Sequence, residues 1–262
     1  IMKSGIPVIV SEQKTEVLKV LQDHADKTGS SLFCVSDFID ASSYFYDNDG
    51  MNITLKFKSL FKRPINTKIH LLGDFQVKNA ALACIAVKKV IPDISEECIE
   101  RGLSKAFIAG RFEVIKANTY FPLSVMDGAH TVNSISCTLK TFNEIFKNNL
   151  AQHKAHLLFA CASDKNSRHI AELFFVQDTF SLITLTRPGS IKESNVPVLH
   201  ESFITANREQ KSVINLIDDH EKAIIQAFEE AKKENAVLLI TGSFYLLAEV
   251  KKIASKKLES AL

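Results

Sequence analysis

Leu123-Ser124-Val125-Met126-Asp127-Gly128-Ala129-His130 begins with a short, almost wholly apolar run and ends in groups that can carry chemistry. A run of that length, closed by an acid and a glycine, suits a buried strand better than a helix. Downstream, apolar runs recur at residues 156–160, 180–185, 196–199 and 237–240, most of them separated by enough chain for a crossover helix. Alternation of this kind predicts a parallel sheet covered on both faces, so residues 111–262 are expected to form a doubly wound, Rossmann-like α/β domain.

Upstream, the run at residues 6–10 precedes Val17, Leu18, Val20 and Leu21 at helical spacing, and Gly29 and a run at 31–35 complete one βαβ step. Residues 44–46 and 53–57 flank Asn48-Asp49-Gly50, the signal for a hairpin, expected at the edge of that sheet. Residues 62–68 read as a linker and 69–72 as a brief strand. Gly73-Asp74 then opens a helix reaching Val90 before Pro92, and a second helix runs over about 95–106 with acids in its first turn. Gly110 breaks the pattern and sets the expected boundary between domains 1–110 and 111–262.

Composition narrows the function classes. With 24% charged residues and a net charge of +2, the chain has no field that would recruit nucleic acid or an anionic membrane. The longest uncharged apolar stretch, 236–248, is interrupted by Thr241, Gly242 and Ser243 and falls short of the roughly 20 residues a bilayer requires. Five scattered cysteines without metal or redox spacing fit a reducing, cytoplasmic setting, and no secretory signal is expected. The first residue is Ile1, which suggests a fragment.

Open α/β sheets bind ligands beyond the carboxyl ends of their strands, which directs attention to the polar residues that follow apolar runs. Gln76 and Asn79 share a helix face where an amide can pair with adenine; plain capping by solvated amides is the competing reading. Arg111, in Gly110-Arg111-Phe112-Glu113, can offer planar donors to phosphate, or form a salt bridge with Glu113 or another acid. Asp127 can accept hydrogen bonds from ribose hydroxyls while His130 faces the phosphates or a reacting carboxyl; alternatively, Asp127 caps a helix from about Asn133. Lys165, after Ser163-Asp164, either meets an anionic substrate or is a solvated loop lysine. Thr241-Gly242-Ser243 reads as a helix cap in preference to an anion site. His153 and His156 are assigned no metal, and Lys251, Lys252, Lys256 and Lys257 read as a solvated helix face.

Taken in order, Leu72-Gly73-Asp74-Phe75-Gln76 to Asn79-Ala80, Gly110-Arg111-Phe112-Glu113, Asp127-Gly128-Ala129-His130, Asp164-Lys165 and Thr241-Gly242-Ser243 resemble folylpolyglutamate and dihydrofolate synthases, with the Mur peptide ligases as broader relatives. The resemblance spans nearly the whole chain. It implies the C-terminal part of a Mur-ligase-type, ATP-binding central domain followed by a C-terminal ligase domain. It further implies that Asn79, with Gln76 beside it, contacts adenine, Arg111 the phosphates and Asp127 the ribose, while His130 and Lys165 serve the reaction. The implied substrates are ATP, folate or dihydropteroate, and L-glutamate, joined through an acyl phosphate with Mg2+. Phe75 stands where that family usually has His, Thr131-Val132 where it has Asn-Pro, and Asn166 where it has Asp.

No Gly-Lys-Ser or Gly-Lys-Thr phosphate loop occurs in these residues. The family's metal ligands and modifiable lysine are expected before Ile1, so the chain alone is expected to be inactive. A degenerate nucleotide- or partner-binding module and a Mur-type peptide ligase fragment are the alternatives. The ligase reading requires Asn79, Arg111 and Asp127 to converge on one cleft.

Overall fold

A computed structural model describes residues 2–150 and 154–259. Ile1 and His153 lie outside the described residues, as do the side chains of Lys256 and Lys257. The chain divides into two compact units, Ile1–Phe107 and Ile108–Leu262.

In the first unit, β1 (Val8–Val10), α1 (Thr15–Thr28) and β2 (Leu32–Cys34) form the expected parallel step. Gly29 ends α1 in the left-handed region, φ +63°, where glycine carries no Cβ penalty. A four-residue turn of helix, α2 (Val35–Phe38), leads into β3 (Ile39–Asp47), β4 (Gly50–Phe57) and β5 (Ile65–Ile69). The hairpin forms as read, but it does not extend the β1–β2 sheet: β3, β4 and β5 make an antiparallel sheet of their own. Met51, Ile53, Leu55 and Phe57 alternate inward along β4 against Val77, Ala81 and Ile85 of α3 (Asp74–Val90).

The linker expected at 62–68 is instead largely β5, which starts four residues ahead of the strand predicted at 69–72. The segment is pinned to α4 (Glu96–Ser104): Arg63 reaches Glu100 at 2.6 Å and Glu97 at 2.7 Å, and Glu100 also accepts from the Asn66 amide at 2.8 Å. The Arg63 guanidinium holds the Glu97 carboxyl down at about 2. Polar residues that read as loop are thus the solvent edge of a strand whose Ile65 and Ile69 are buried.

The second unit is built on a six-stranded sheet. Its strands are β6 (Glu113–Ile115), β7 (Ser124–Asp127), β8 (Ala155–Phe159), β9 (Phe180–Leu185), β10 (Val213–Leu216) and β11 (Val237–Thr241), in the order β10-β9-β8-β11-β7-β6. All pair in parallel except β6, which runs antiparallel to β7 at the edge. The helices are α5 (Val132–Leu150), α6 (Ser167–Phe174), α7 (Val196–Ala206), α8 (His220–Lys233) and α9 (Phe244–Glu259). Every residue of β7, β8 and β11 is buried, which is why these strands read as continuous apolar runs with no alternation.

One predicted strand is a helix. Residues 196–199 open α7 because Asn195 caps it, accepting from the Val198 amide at 3.2 Å, and Pro197 occupies the first turn, where a missing N–H costs nothing. Val196, Leu199 and Phe203 are its buried face, at spacings of three and four. The strand that pairs with β9 in its place is β10, whose residues are all at least partly exposed.

His156 in β8 is 2% exposed; its Nε2 lies 3.3 Å from Glu234 Oε2 and its Nδ1 has no partner among the described residues. Burial lowers its pKa from the ordinary 6.5, with Glu234 and Glu230 opposing and Lys154 adding to the shift. A histidine lowered by folding contributes stability above its unfolded pKa, and that stability is lost as pH falls through the folded value. Urea unfolding is therefore expected to show a steeper loss of stability between about pH 7 and pH 5 in wild type than in His156→Leu. Parallel acid limbs would refute the assignment.

Candidate functional site

The carboxyl ends of β7, β8 and β11 lie side by side, and the loops leaving them carry candidate residues. Asp127, the last residue of β7, is only 5% exposed. Its Oδ2 accepts from the Phe112 amide at 2.9 Å and its Oδ1 from the Ala129 amide at 2.8 Å. Burial nevertheless raises its pKa, against those two amides, the Thr138 hydroxyl and the charge of Arg111. Asp127 therefore ties the loop after β7 to the segment before β6, and it does not cap α5. That cap is a reciprocal pair: Ser134 donates its amide to Thr131 Oγ1 at 3.2 Å and accepts from the Thr131 amide at 2.9 Å.

The Gly110-Arg111-Phe112-Glu113 segment makes a tight turn. Gly110 has φ +70° and Phe112 φ +44°, a conformation a bulky residue adopts only when its surroundings enforce it. The enforcement is visible: Phe112 is 1% exposed, its amide is held by Asp127, and the Gly110 carbonyl accepts from the Gly128 amide at 2.8 Å. Glu113 does not pair with Arg111. It takes the Gly110 amide at 3.0 Å and Lys251 of α9 at 2.8 Å, so Lys251 is not part of a merely solvated face. Arg111 is exposed, its guanidinium 4.9 Å from the centroid of the Phe244 ring.

His130 is half-buried. Its Nδ1 lies 2.8 Å from the Gly128 carbonyl, which can only accept, so in the neutral ring the proton sits on Nδ1 and Nε2 is the acceptor. Its amide donates to Ser134 Oγ at 3.1 Å, which anchors the backbone that carries the ring. His130 and Lys165 line one hollow of about 160 Å3 with Lys192, Ser243, Phe244 and Tyr245. Lys165 Nζ lies 3.1 Å from Asp164, whose carboxyl is lowered by that contact, and Asn166 caps α6 by accepting from the His169 amide at 3.2 Å. A cap needs only an acceptor oxygen, so Asn serves where the resembling family has Asp. Larger hollows lie beside α5 and α6, about 430 Å3, and along the 187–195 loop, about 540 Å3; the second shares Lys192 with this one.

Ser243 caps α9 by accepting from the Tyr245 amide at 3.2 Å, and the Gly242 amide donates to the Ala129 carbonyl at 2.9 Å, joining this loop to the one that carries His130. In the first unit, Gln76 is 7% exposed and its Oε1 accepts from Asn79 Nδ2 at 2.9 Å. Asn79 is exposed and keeps its own oxygen and a second N–H for a ligand. Sequence reading missed Phe244, which no motif flags, and a cluster of His220, Glu221 and Glu249 whose ligand atoms lie within 4.8 Å. Glu249 is already shared by His220 at 3.8 Å and Lys252 at 3.4 Å, so the cluster is read as an ion-pair network.

Residues 110–244 match the family described as Mur ligase, glutamate ligase domain. The chain is 25% identical over 259 residues to the dihydrofolate synthase/folylpolyglutamate synthase of Bacillus subtilis, covering 96% of this chain and 55% of that protein. It is 26% identical over 183 residues to the UDP-N-acetylmuramoyl-L-alanyl-D-glutamate--2,6-diaminopimelate ligase of Halalkalibacterium halodurans, covering 68% of this chain and 35% of that protein. The crystal structure of Mycobacterium tuberculosis folylpolyglutamate synthase complexed with ADP and AMPPCP has the same fold, with a TM-score of 0.75 at 17% identity over 94% of this chain and 54% of that one. The chain thus spans about half the length, or less, of the proteins it matches.

Gly242 has φ +102°, and a Cβ there would lie 2.2 Å from the Ala160 carbonyl oxygen. Gly242→Ala is therefore expected to cost about 1–3 kcal/mol in urea unfolding. Gly102→Ala, inside α4 with open space around it, should gain roughly 0.5–1 kcal/mol instead. Equal behaviour of the two variants would count against the strained loop.

Proposed function

This chain belongs to the Mur ligase family through its glutamate ligase domain, and from that premise we propose that it is the C-terminal portion of an ATP-dependent ligase that adds L-glutamate to a folate or dihydropteroate carboxylate. The observation that carries the proposal is the hollow in which His130 and Lys165 meet at the carboxyl ends of the strands. The relatives support it: one is named dihydrofolate synthase/folylpolyglutamate synthase, and a folylpolyglutamate synthase of the same fold holds ADP. In this reading residues 1–110 are the end of the ATP-binding domain and 111–262 the ligase domain.

The chemistry follows from the groups present. A carboxylate oxygen is a poor leaving group; transfer of the terminal phosphoryl of ATP to it forms an acyl phosphate and releases ADP. Attack by the amine of glutamate on that carbonyl then forms the amide and expels phosphate. Little of this demands a protein nucleophile; it demands positioning and charge. Arg111 offers exposed planar donors to the phosphates, and Lys165 offers its ammonium to an anionic substrate group. His130, with Nε2 as acceptor, takes the proton that the attacking amine must shed. Asn79, braced by Gln76, reads adenine. Asp127 fixes the loop first, and its remaining lone pairs are what it has for ribose hydroxyls. Magnesium bound with the nucleotide neutralises phosphate charge, and no residue of this chain is assigned to it.

A peptide ligase acting on a muropeptide precursor is the second reading, favoured by the similarity to the Halalkalibacterium halodurans enzyme. Product analysis of the complete polypeptide that carries this chain, given ATP, magnesium and either substrate set, decides between them. Glutamylated folate or dihydropteroate with ADP release is expected, and extension of the muropeptide precursor alone would overturn the folate reading. Residues 1–262 by themselves should form no product. In the complete protein, Arg111→Lys should lower kcat/KM for ATP about tenfold or more, because an ammonium cannot reproduce the planar fork. An unchanged value would remove Arg111 from the phosphate role.

A further inference from the structure

Phe244 opens α9 with 39% of its surface exposed, and a lone exposed phenylalanine needs no explanation. The groups packed around its ring do. Arg111 Cζ lies 4.9 Å from the ring centroid, and the His130 ring sits at 6.4 Å, with the two planes at 67°. The ring lies directly against the Gly128 backbone: a Cβ at position 128 would fall 2.3 to 2.5 Å from three of its atoms. Gly110 is further off, since a Cβ there would meet the ring at 3.3 Å and Leu247 at 2.8 Å.

We infer that Phe244 is a positioning residue, one aromatic ring that holds both the Arg111 guanidinium and the His130 imidazole in place and that requires glycine at position 128 to do so. The inference rests on the reading above, in which Arg111 meets the nucleotide phosphates. The guanidinium is planar and weakly hydrated on its faces, so it stacks on an aromatic ring while its edge keeps N–H donors for an anion. An arginine at the surface otherwise loses considerable rotamer freedom when it binds, and prior stacking removes part of that cost. His130 is drawn into the same block because its Nδ1 bonds the Gly128 carbonyl, the backbone on which the ring rests. Arg111 comes from the turn before β6, His130 from the loop after β7, and the ring from the helix after β11.

A ring that served only as apolar cover would be replaced well by leucine. The test is carried out on the complete polypeptide that carries this chain, with Phe244→Leu, Phe244→Tyr and Gly128→Ala, each checked for retained fold by its amide NMR spectrum. Ring-current displacement of the Arg111 Nε–H and the His130 ring protons reports the stacking, and titration with ADP reports its use. Phe244→Leu should abolish both displacements and weaken ADP about two- to fivefold, the size of one exposed cation–π contact. Phe244→Tyr should preserve both. Gly128→Ala should reproduce the leucine result with residue 244 untouched, because the added methyl evicts the ring. Displacements unchanged in Leu and Ala would overturn the inference, as would displacements lost at constant ADP affinity. Failure of the complete wild-type polypeptide to bind ADP, with the displacements responding as described, would instead strike the nucleotide reading and leave the stacking established.

Discussion

A carboxylate closed off from water must find donors, and Asp127 finds them in two backbone amides that approach from opposite directions along the chain. One belongs to Phe112, fifteen residues earlier, and the other to Ala129, two residues later. Charge-assisted bonds of this kind are worth more than neutral ones, and leaving either amide unpaired in the interior would cost about 1–3 kcal/mol. The bond to Phe112 is also what makes a positive φ tolerable for a large side chain, since the ring is buried only when the turn is closed. With that turn closed, Gly110 and Gly128 come into register, Arg111 projects outward and His130 receives its carbonyl partner. The strand end therefore organises the candidate site before any ligand is involved.

The parts of the fold legible in the sequence were those in which burial imposes a pattern. Strands β7, β8, β9 and β11 are apolar because they are covered on both faces, and α3 and α4 announce their starts with glycine or serine followed by acids. The misreadings share a cause: a short apolar or polar run does not reveal its period. Val196, Val198 and Leu199 look like a strand until Asn195 and Pro197 are weighed as a helix start. Residues 62–68 look like a linker because the contacts that make them a strand edge come from Glu97 and Glu100, some thirty-five residues away.

The candidate site was legible in the same uneven way. Asp127, His130 and Lys165 stand at or after the ends of strands and Arg111 at the boundary before β6, and the sequence places them there. It does not show that Asp127 spends its oxygens on backbone, that Gln76 is inside and orients Asn79, or that Glu113 answers Lys251 and not Arg111. Those facts depend on partners distant in the chain, and no local spacing encodes them. Phe244 is the clearest case, since a residue following a Gly-Ser cap is read as the start of a helix and nothing more.

The ion pair between Glu113 and Lys251 joins the first strand of the second unit to its last helix. That fastening turns a layered domain into a closed loop of dependencies. Fraying of α9 would slacken the arginine turn at the opening of the unit, and loosening of β6 would free α9, so neither margin of the unit can be disturbed without the other.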